Sequence, residues 1–285
     1  MKTILVVVKD FENTENYLKY VLGLAKDLAA NVLLFYAEEP FKYPLGAAGM
    51  EGRAYAELQA SLEARIKTAR ETLSNQVSAL VAKVAGISIV EVKTAIGNKE
   101  SLINEMVNSG QVQMVMMQGP SKDSFIQDIT EATSLFRSVN WPVWIIPEKC
   151  KYQIIESIIY ATDYQEEDIS TLSKLISHTY FLSPKITALH ITETPDFELR
   201  VKNAGFSKML ESKLSYNDIS VKALVEKEGN DVAQMIESYA SRIKADLIVM
   251  LKENKGFLER IFNPSSADKI MKESSLPVLI YHSAN

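Results

Sequence analysis

The residues that could do chemistry in this chain are few, and they cluster where apolar runs end. Thr162-Asp163 follows the run Ile158-Ile159-Tyr160-Ala161, and Lys9-Asp10 follows Ile4-Leu5-Val6-Val7-Val8. A carboxylate just past a buried strand can accept a hydrogen bond from an adenine amino group or a ribose hydroxyl; its plainer role is a turn or cap residue. Ser265-Ser266 stand at an expected helix start, where hydroxyls and backbone amides can hold one anion, or simply cap the helix. His178, His190 and His282 have no metal-ligand spacing. The single Cys150 rules out an internal disulfide and reads as a solvated thiol between two lysines. Neither a nucleophile elbow, a P-loop lysine motif nor a Cys-x-x-Cys pair is present.

The elements that must position these residues occur twice. The strand near residue 4 is matched near residue 158, and Val32 to Pro40 is matched by Thr187 to Pro195. Gly97-Asn98 is matched by Gly229-Asn230, and Trp141-Pro142-Val143-Trp144-Ile145-Ile146 by Leu276-Pro277-Val278-Leu279-Ile280-Tyr281. Four landmarks in one order, twice, mean a duplicated domain. The unalternating β-branched runs are those of strands buried on both faces of a parallel sheet. The spacing of Tyr17, Val21, Leu24 and Leu28 predicts a helix to about Ala30, with Thr14 as its cap. A longer helix is expected from about Arg53 to Ala85. Asn98 or Ser101 is expected to cap the next helix, and another is expected over 126–139. The acidic run Glu166-Glu167-Asp168 suits the first turn of a helix, where negative charge is favourable. Met114, Met116 and Met117 read as core; Trp141 and Trp144 flank Pro142 and read as packing residues, with an interface role as the alternative. Strand, helix, strand in this order predicts right-handed crossovers and an α/β fold of two tandem doubly wound, five-stranded parallel sheets. The boundary is placed in Pro147 to Tyr152, giving domains 1–148 and 153–285.

Bulk composition agrees. The chain has 285 residues, 47% hydrophobic and 24% charged, with net charge -5. That suits two ordinary globular domains and argues against a broad nucleic-acid surface. The opening apolar run is too short for a signal-peptide core, and no stretch approaches bilayer-spanning length. A cytoplasmic protein without membrane or nucleic-acid partners is expected.

The most diagnostic stretch runs from Leu251 to Asp268, after the fourth strand of the second half. With the opening strand, the Glu at the end of strand two and the terminal Pro-Val strand, it resembles the universal stress protein family over essentially the whole chain, as two tandem domains. The resemblance implies a Rossmann-like fold of the adenine nucleotide alpha-hydrolase type and a Gly-x2-Gly-x9-Gly-(Ser/Thr) loop around a nucleotide triphosphate. At that spacing the second half has Leu251, Asn254 and Pro264, keeping Ser265 as the hydroxyl and Gly256 off position. The first half keeps Gly119 and has Ile129-Thr130 where Pro264-Ser265 stand. Glycines let backbone amides reach phosphate oxygens without a Cβ in the way, and Pro264 also removes a donor.

The leading expectation is therefore a non-enzymatic stress-response binding or scaffold module. The alternative is an ATP-binding regulator with an altered site in the second domain around Asp163, Ile191, Asn254, Gly256, Ser265 and Ser266. A third reading is an adapter whose protein partner meets the loop 41–52 or the shortened segment 196–219. By the resemblance, the closing strands 143–146 and 278–281 are expected to pair antiparallel within one chain, and a homodimer is also expected as an option.

Overall fold

A computed structural model of the chain describes residues 2–12, 14–40, 52–83, 90–119, 141–148, 150–192, 197–225, 232–252 and 276–282. It divides into two compact units, Met1–Gln118 and Gly119–Asn285.

In the first unit the strands are β1 (Thr3–Val8), β2 (Asn31–Glu38), β3 (Val90–Ile96) and β4 (Met114–Gln118). They lie in the order β3-β2-β1-β4, all parallel. Helices α1 (Glu15–Asp27), α2 (Gly52–Val81) and α3 (Lys99–Asn108) make the crossovers. Helix α1 forms because its apolar residues recur at helical spacing, and it buries Leu18, Val21, Leu22 and Ala25 completely. Each such large side chain contributes about 1.5–3 kcal/mol. Helix α2 is longer but buries a narrower stripe, Leu62, Ala69, Leu73, Val77 and Leu80. Asn98 caps α3, its side chain accepting the Ser101 amide at 2.9 Å. Thr14 sits at the cap position of α1 but makes no capping bond; its hydroxyl donates to Gln76 Oε1 at 2.7 Å instead. That expectation fails because α2 offers the hydroxyl an acceptor.

The second unit contains β5 (Val143–Ile146), β6 (Ser157–Ala161), β7 (Lys185–Thr192), β8 (Ile219–Val225), β9 (Leu247–Lys252) and β10 (Val278–His282). Its helices are α4 (Glu166–His178), α5 (Phe197–Lys213) and α6 (Val232–Ile243). The strand order is β5-β10-β9-β6-β7-β8. All neighbours are parallel except β5 and β10, which run antiparallel with Leu279 opposite Trp144. Trp144 is fully buried, as are the methionines of β4 to within a few per cent. Strands β3 and β8 are outer strands of their units, each carrying an exposed lysine at its centre, Lys93 and Lys222. The helix expected over 126–139 lies outside the described residues.

Both units fasten the amino ends of their central strands alike. Lys2 O accepts from Asn31 N and Glu156 O from Lys185 N, each at 2.8 Å. Thr3 O accepts from Gln113 N, and Ser157 O from Asp246 N. Side chains return the bond. Gln113 Oε1 accepts the Thr3 amide, while the Asp246 carboxylate accepts the amides of Glu156 and Ser157 at 2.9 Å and the Gln153 side chain at 2.7 Å.

At the carboxyl end of β6 a second carboxylate does comparable work. Glu166 and Glu167 are exposed, but Asp168 is buried. Its oxygens accept the hydroxyls of Tyr160 and Thr162, both at 2.6 Å, and the Gln165 amide at 3.0 Å. Reading the acidic run as a uniform response to the helix dipole misses this: Asp168 is a buried tie between β6 and α4. Thr162 also accepts the Tyr164 amide at 2.9 Å, which holds Tyr164 in the left-handed region at φ 60°. For a side chain of that size such a backbone costs about 1–2 kcal/mol.

Two outcomes follow for stability. Asp246→Ala should lower the unfolding free energy by about 2 kcal/mol, read by urea denaturation, because it strips partners from two backbone amides. Asp168→Asn should cost about the same. Burial holds the Asp168 carboxyl above its ordinary value, against the opposing pull of the Thr162 and Tyr160 hydroxyls and two backbone amides. The folded chain therefore binds that proton more tightly than the unfolded chain. This stabilisation is present below the unfolded value and is lost as pH rises through the folded one. The advantage of the native protein over Asp168→Asn should be larger in acid than at neutral pH; an equal advantage at both would contradict the raised value.

Candidate functional site: the carboxyl ends of β1 and β2 and of β6 and β7

In open α/β sheets the crevice beyond the carboxyl ends of the strands is where ligands sit. In the second unit β6 delivers Asp163 there. Its side chain is 11% exposed, and its Oδ1 lies 3.7 Å from His190 Nδ1 on β7. That nitrogen is 2.8 Å from the carbonyl oxygen of Thr162. A carbonyl only accepts, so Nδ1 carries the proton and donates. His190 is thus held by the backbone that presents Asp163, rather than being a histidine lost in the core.

Tyr164 stands at the same strand end. Its ring lies 4.5 Å from the His190 ring and 5.1 Å from that of Phe206 on α5. Its hydroxyl accepts from Asn203 Nδ2 at 3.1 Å, and burial lifts it to about 12. One side chain therefore ties the loop after β6 to β7 and α5 together. Ile191, expected beside Asp163, is buried one residue further along β7, where alternation turns it to the face opposite His190. Asn254, Gly256, Ser265 and Ser266 lie outside the described residues.

The first unit fills the same place with different chemistry. The paired strand starts make Thr3 the counterpart of Ser157. Counting forward equally from each, the counterpart of Asp163 is Lys9, not Asp10. Asp10 serves its own loop, its Oδ1 accepting the Glu12 amide at 2.8 Å. The next residue, Phe11, packs edge-on against Tyr36 with ring centres 5.3 Å apart. The Arg65 guanidinium lies 5.3 Å above the Phe11 ring, and both Arg65 and the Tyr36 hydroxyl donate to Glu38 Oε1. Burial first, then the Glu38 carboxylate, pushes Tyr36 up to about 12.

Gly119, the first-half glycine that fits the expected phosphate loop, has its amide occupied by Ile146 O at 2.7 Å. An added Cβ would stand 3.2 Å from that oxygen, so close approach to β5 accounts for the glycine. A cavity of about 750 Å³ opens elsewhere in the second unit, lined by Leu224, Val225, Ser238, Tyr239 and Arg242 among others. Among the described residues, none that the sequence singles out lines it. Among the described residues no group of three or more metal-ligating side chains comes together. No described helix is long and apolar enough to cross a membrane.

Sequence reasoning missed the strand-end residues Tyr164, His190, Phe11, Tyr36 and Arg65. A signal was available in the aromatic that follows each loop aspartate, Asp10-Phe11 and Asp163-Tyr164.

Comparison with known proteins places this arrangement. Residues 1–147 and 155–282 each match the family model described as the universal stress protein family. No curated protein matches the chain. Among solved structures, a universal stress protein from Archaeoglobus fulgidus DSM 4304 superposes with TM-score 0.62 at 14% identity, covering 99% of this chain and 97% of that one. A functionally unknown protein from Pseudomonas aeruginosa PAO1 gives 0.59 at 15% identity, covering 99% and 93%. The cytoplasmic domain of a prokaryotic cation chloride cotransporter gives 0.50 at 10% identity, covering 98% and 94%. At such identities the likeness is one of fold, but the family match spans nearly the whole sequence: this chain belongs to the universal stress protein family.

Proposed function

We propose that this protein is a non-enzymatic stress-response protein of the universal stress type, acting as a binding or scaffold module. The observation that carries the reading is that an aromatic ring of the chain itself packs at the strand ends in each unit. Tyr164 lies between His190 and Phe206, and Phe11 beneath Arg65 and against Tyr36. A planar ligand there would meet an aromatic ring that already has neighbours on two sides. The sequence supports the same reading from the phosphate side. Leu251, Asn254 and Pro264 stand where the family pattern places glycines, and Gly119 has given its amide to Ile146.

A second reading rests on one observation. Asp163 and His190 form a mostly buried acid–imidazole pair at the strand ends, which is the setting in which a nucleotide-binding regulator would hold its base or ribose. Calorimetric titration with ATP and magnesium separates the two. The scaffold reading expects no binding heat at millimolar nucleotide. Micromolar binding that Asp163→Ala abolishes would replace it with the regulator.

A further inference from the structure

The link from helix to second strand differs between the units in a way the fold does not require. In the first unit α1 reaches β2 through Leu28-Ala29-Ala30, with Leu28 and Ala30 buried. In the second, α4 reaches β7 through the longer turn Thr179-Tyr180-Phe181-Leu182-Ser183-Pro184. Both links end on the same backbone bond, Asn31 N to Lys2 O and Lys185 N to Glu156 O. The added length holds Tyr180 and Phe181 out in water, 69% and 68% exposed, with their rings edge to face at 5.7 Å. The turn is firmly built. Buried Thr179 donates its hydroxyl to Leu175 O at 2.8 Å, and its carbonyl accepts the amides of Leu182 and Ser183. The Ser183 hydroxyl donates to Tyr180 O at 3.3 Å, and Pro184 O accepts the Tyr216 hydroxyl. Ser183 itself sits in the unfavourable left-handed region at φ 45°. Ile154, also exposed, lies on the same rim, two residues before Glu156.

Charge and area point to what this turn meets. The chain is acidic overall, yet from Ile169 to Thr192 it has no Asp or Glu, while Lys174 and Lys185 stand exposed on either side of the turn. Behind it, at the strand starts, exposed Lys151 and Lys244 offset Glu156 and Asp218, and the Asp246 carboxylate is bound to backbone amides. The exposed parts of the two rings offer on the order of 300 Å². A stable protein interface takes about 800 Å² from each partner. We infer that the Thr179–Pro184 turn docks the second unit on the surface of an anionic lipid bilayer, its two rings among the headgroups and Lys174 and Lys185 against lipid phosphates. Aromatic side chains favour that boundary, and lysines close to it are drawn to anionic lipids. The expectation of no membrane partner rested on the lack of a spanning stretch, and a surface contact needs none. The turn lies at the amino end of β7, away from the crevice, so the inference does not depend on the proposed function.

Vesicle sedimentation tests it. With ~1 mM lipid as phosphatidylglycerol–phosphatidylethanolamine vesicles, the native chain should pellet, and added salt should release it. Tyr180→Ala and Phe181→Ala should each lower the partition coefficient at least ~3-fold without lowering the melting point, because both rings lie outside the core. Lys174→Glu combined with Lys185→Glu should weaken binding further. In Phe181→Trp, vesicles should shift the tryptophan emission to the blue beyond any change in the native chain. A native chain that stays in the supernatant overturns the inference. So does equal binding to phosphatidylcholine vesicles, native-like binding by Phe181→Ala, or a Phe181→Trp emission that bound vesicles leave unmoved. A protein that binds the native chain but not Phe181→Ala, with vesicles unbound, would assign the turn to that protein and likewise overturn it.

Discussion

Double-sided burial of the central strands governs the rest of this molecule. Ile4 to Val8, Ile158 to Ala161 and Leu247 to Leu251 are all buried, with helices over the sheets and no alternation to spare a polar face. Polar chemistry cannot be placed along such strands, so it is confined to their ends. Even there it must first serve the backbone groups that the ladder leaves unpaired. Asp246 and Gln113 do this at the amino ends. Asp168, taking the Gln165 amide beside the hydroxyls of Tyr160 and Thr162, does it just past the carboxyl end of β6.

The two units reach the same end by different side chains. In the first, a cation over Phe11 and a carboxylate shared by Arg65 and Tyr36 bind a long helix to the strand ends. In the second, a strained Tyr164 bridges an imidazole, a phenyl ring and an amide. The duplication keeps an aromatic ring at the strand ends and exchanges the chemistry that anchors it. This is the freedom expected of a loop position whose requirement is volume and anchorage rather than a particular functional group.

Strands and helices were legible because their causes are local: an unbroken apolar run, a helical spacing, an asparagine cap at Asn98. The closing strands expected at 143–146 and 278–281 are observed at Val143–Ile146 and Val278–His282. What escaped depends on partners distant in sequence. Thr14 does not cap because Gln76, far along α2, accepts its hydroxyl. Asp168 differs from its two acidic neighbours only because Tyr160 and Thr162 aim at it. The pairing of Asp10 with Asp163 matched residue type, whereas structural equivalence is set by hydrogen-bond register, which superposes Lys9. Of the candidate site, Asp163 and its strand end were readable; the rings that pack there were not, since packing is a property of the assembled unit.

Lys93 and Lys222 stand at the same step of β3 and β8, outer strands of their units. A repeated α/β unit is a natural seed for an endless ribbon, because the last strand of one sheet offers unpaired amides and carbonyls to the next. A lysine midway along each outer strand obliges any newcomer to strip water from an ammonium group before its backbone can pair. Strand addition to either of these outer strands is thereby opposed, so a unit repeated within the sequence is not led by them to repeat from molecule to molecule.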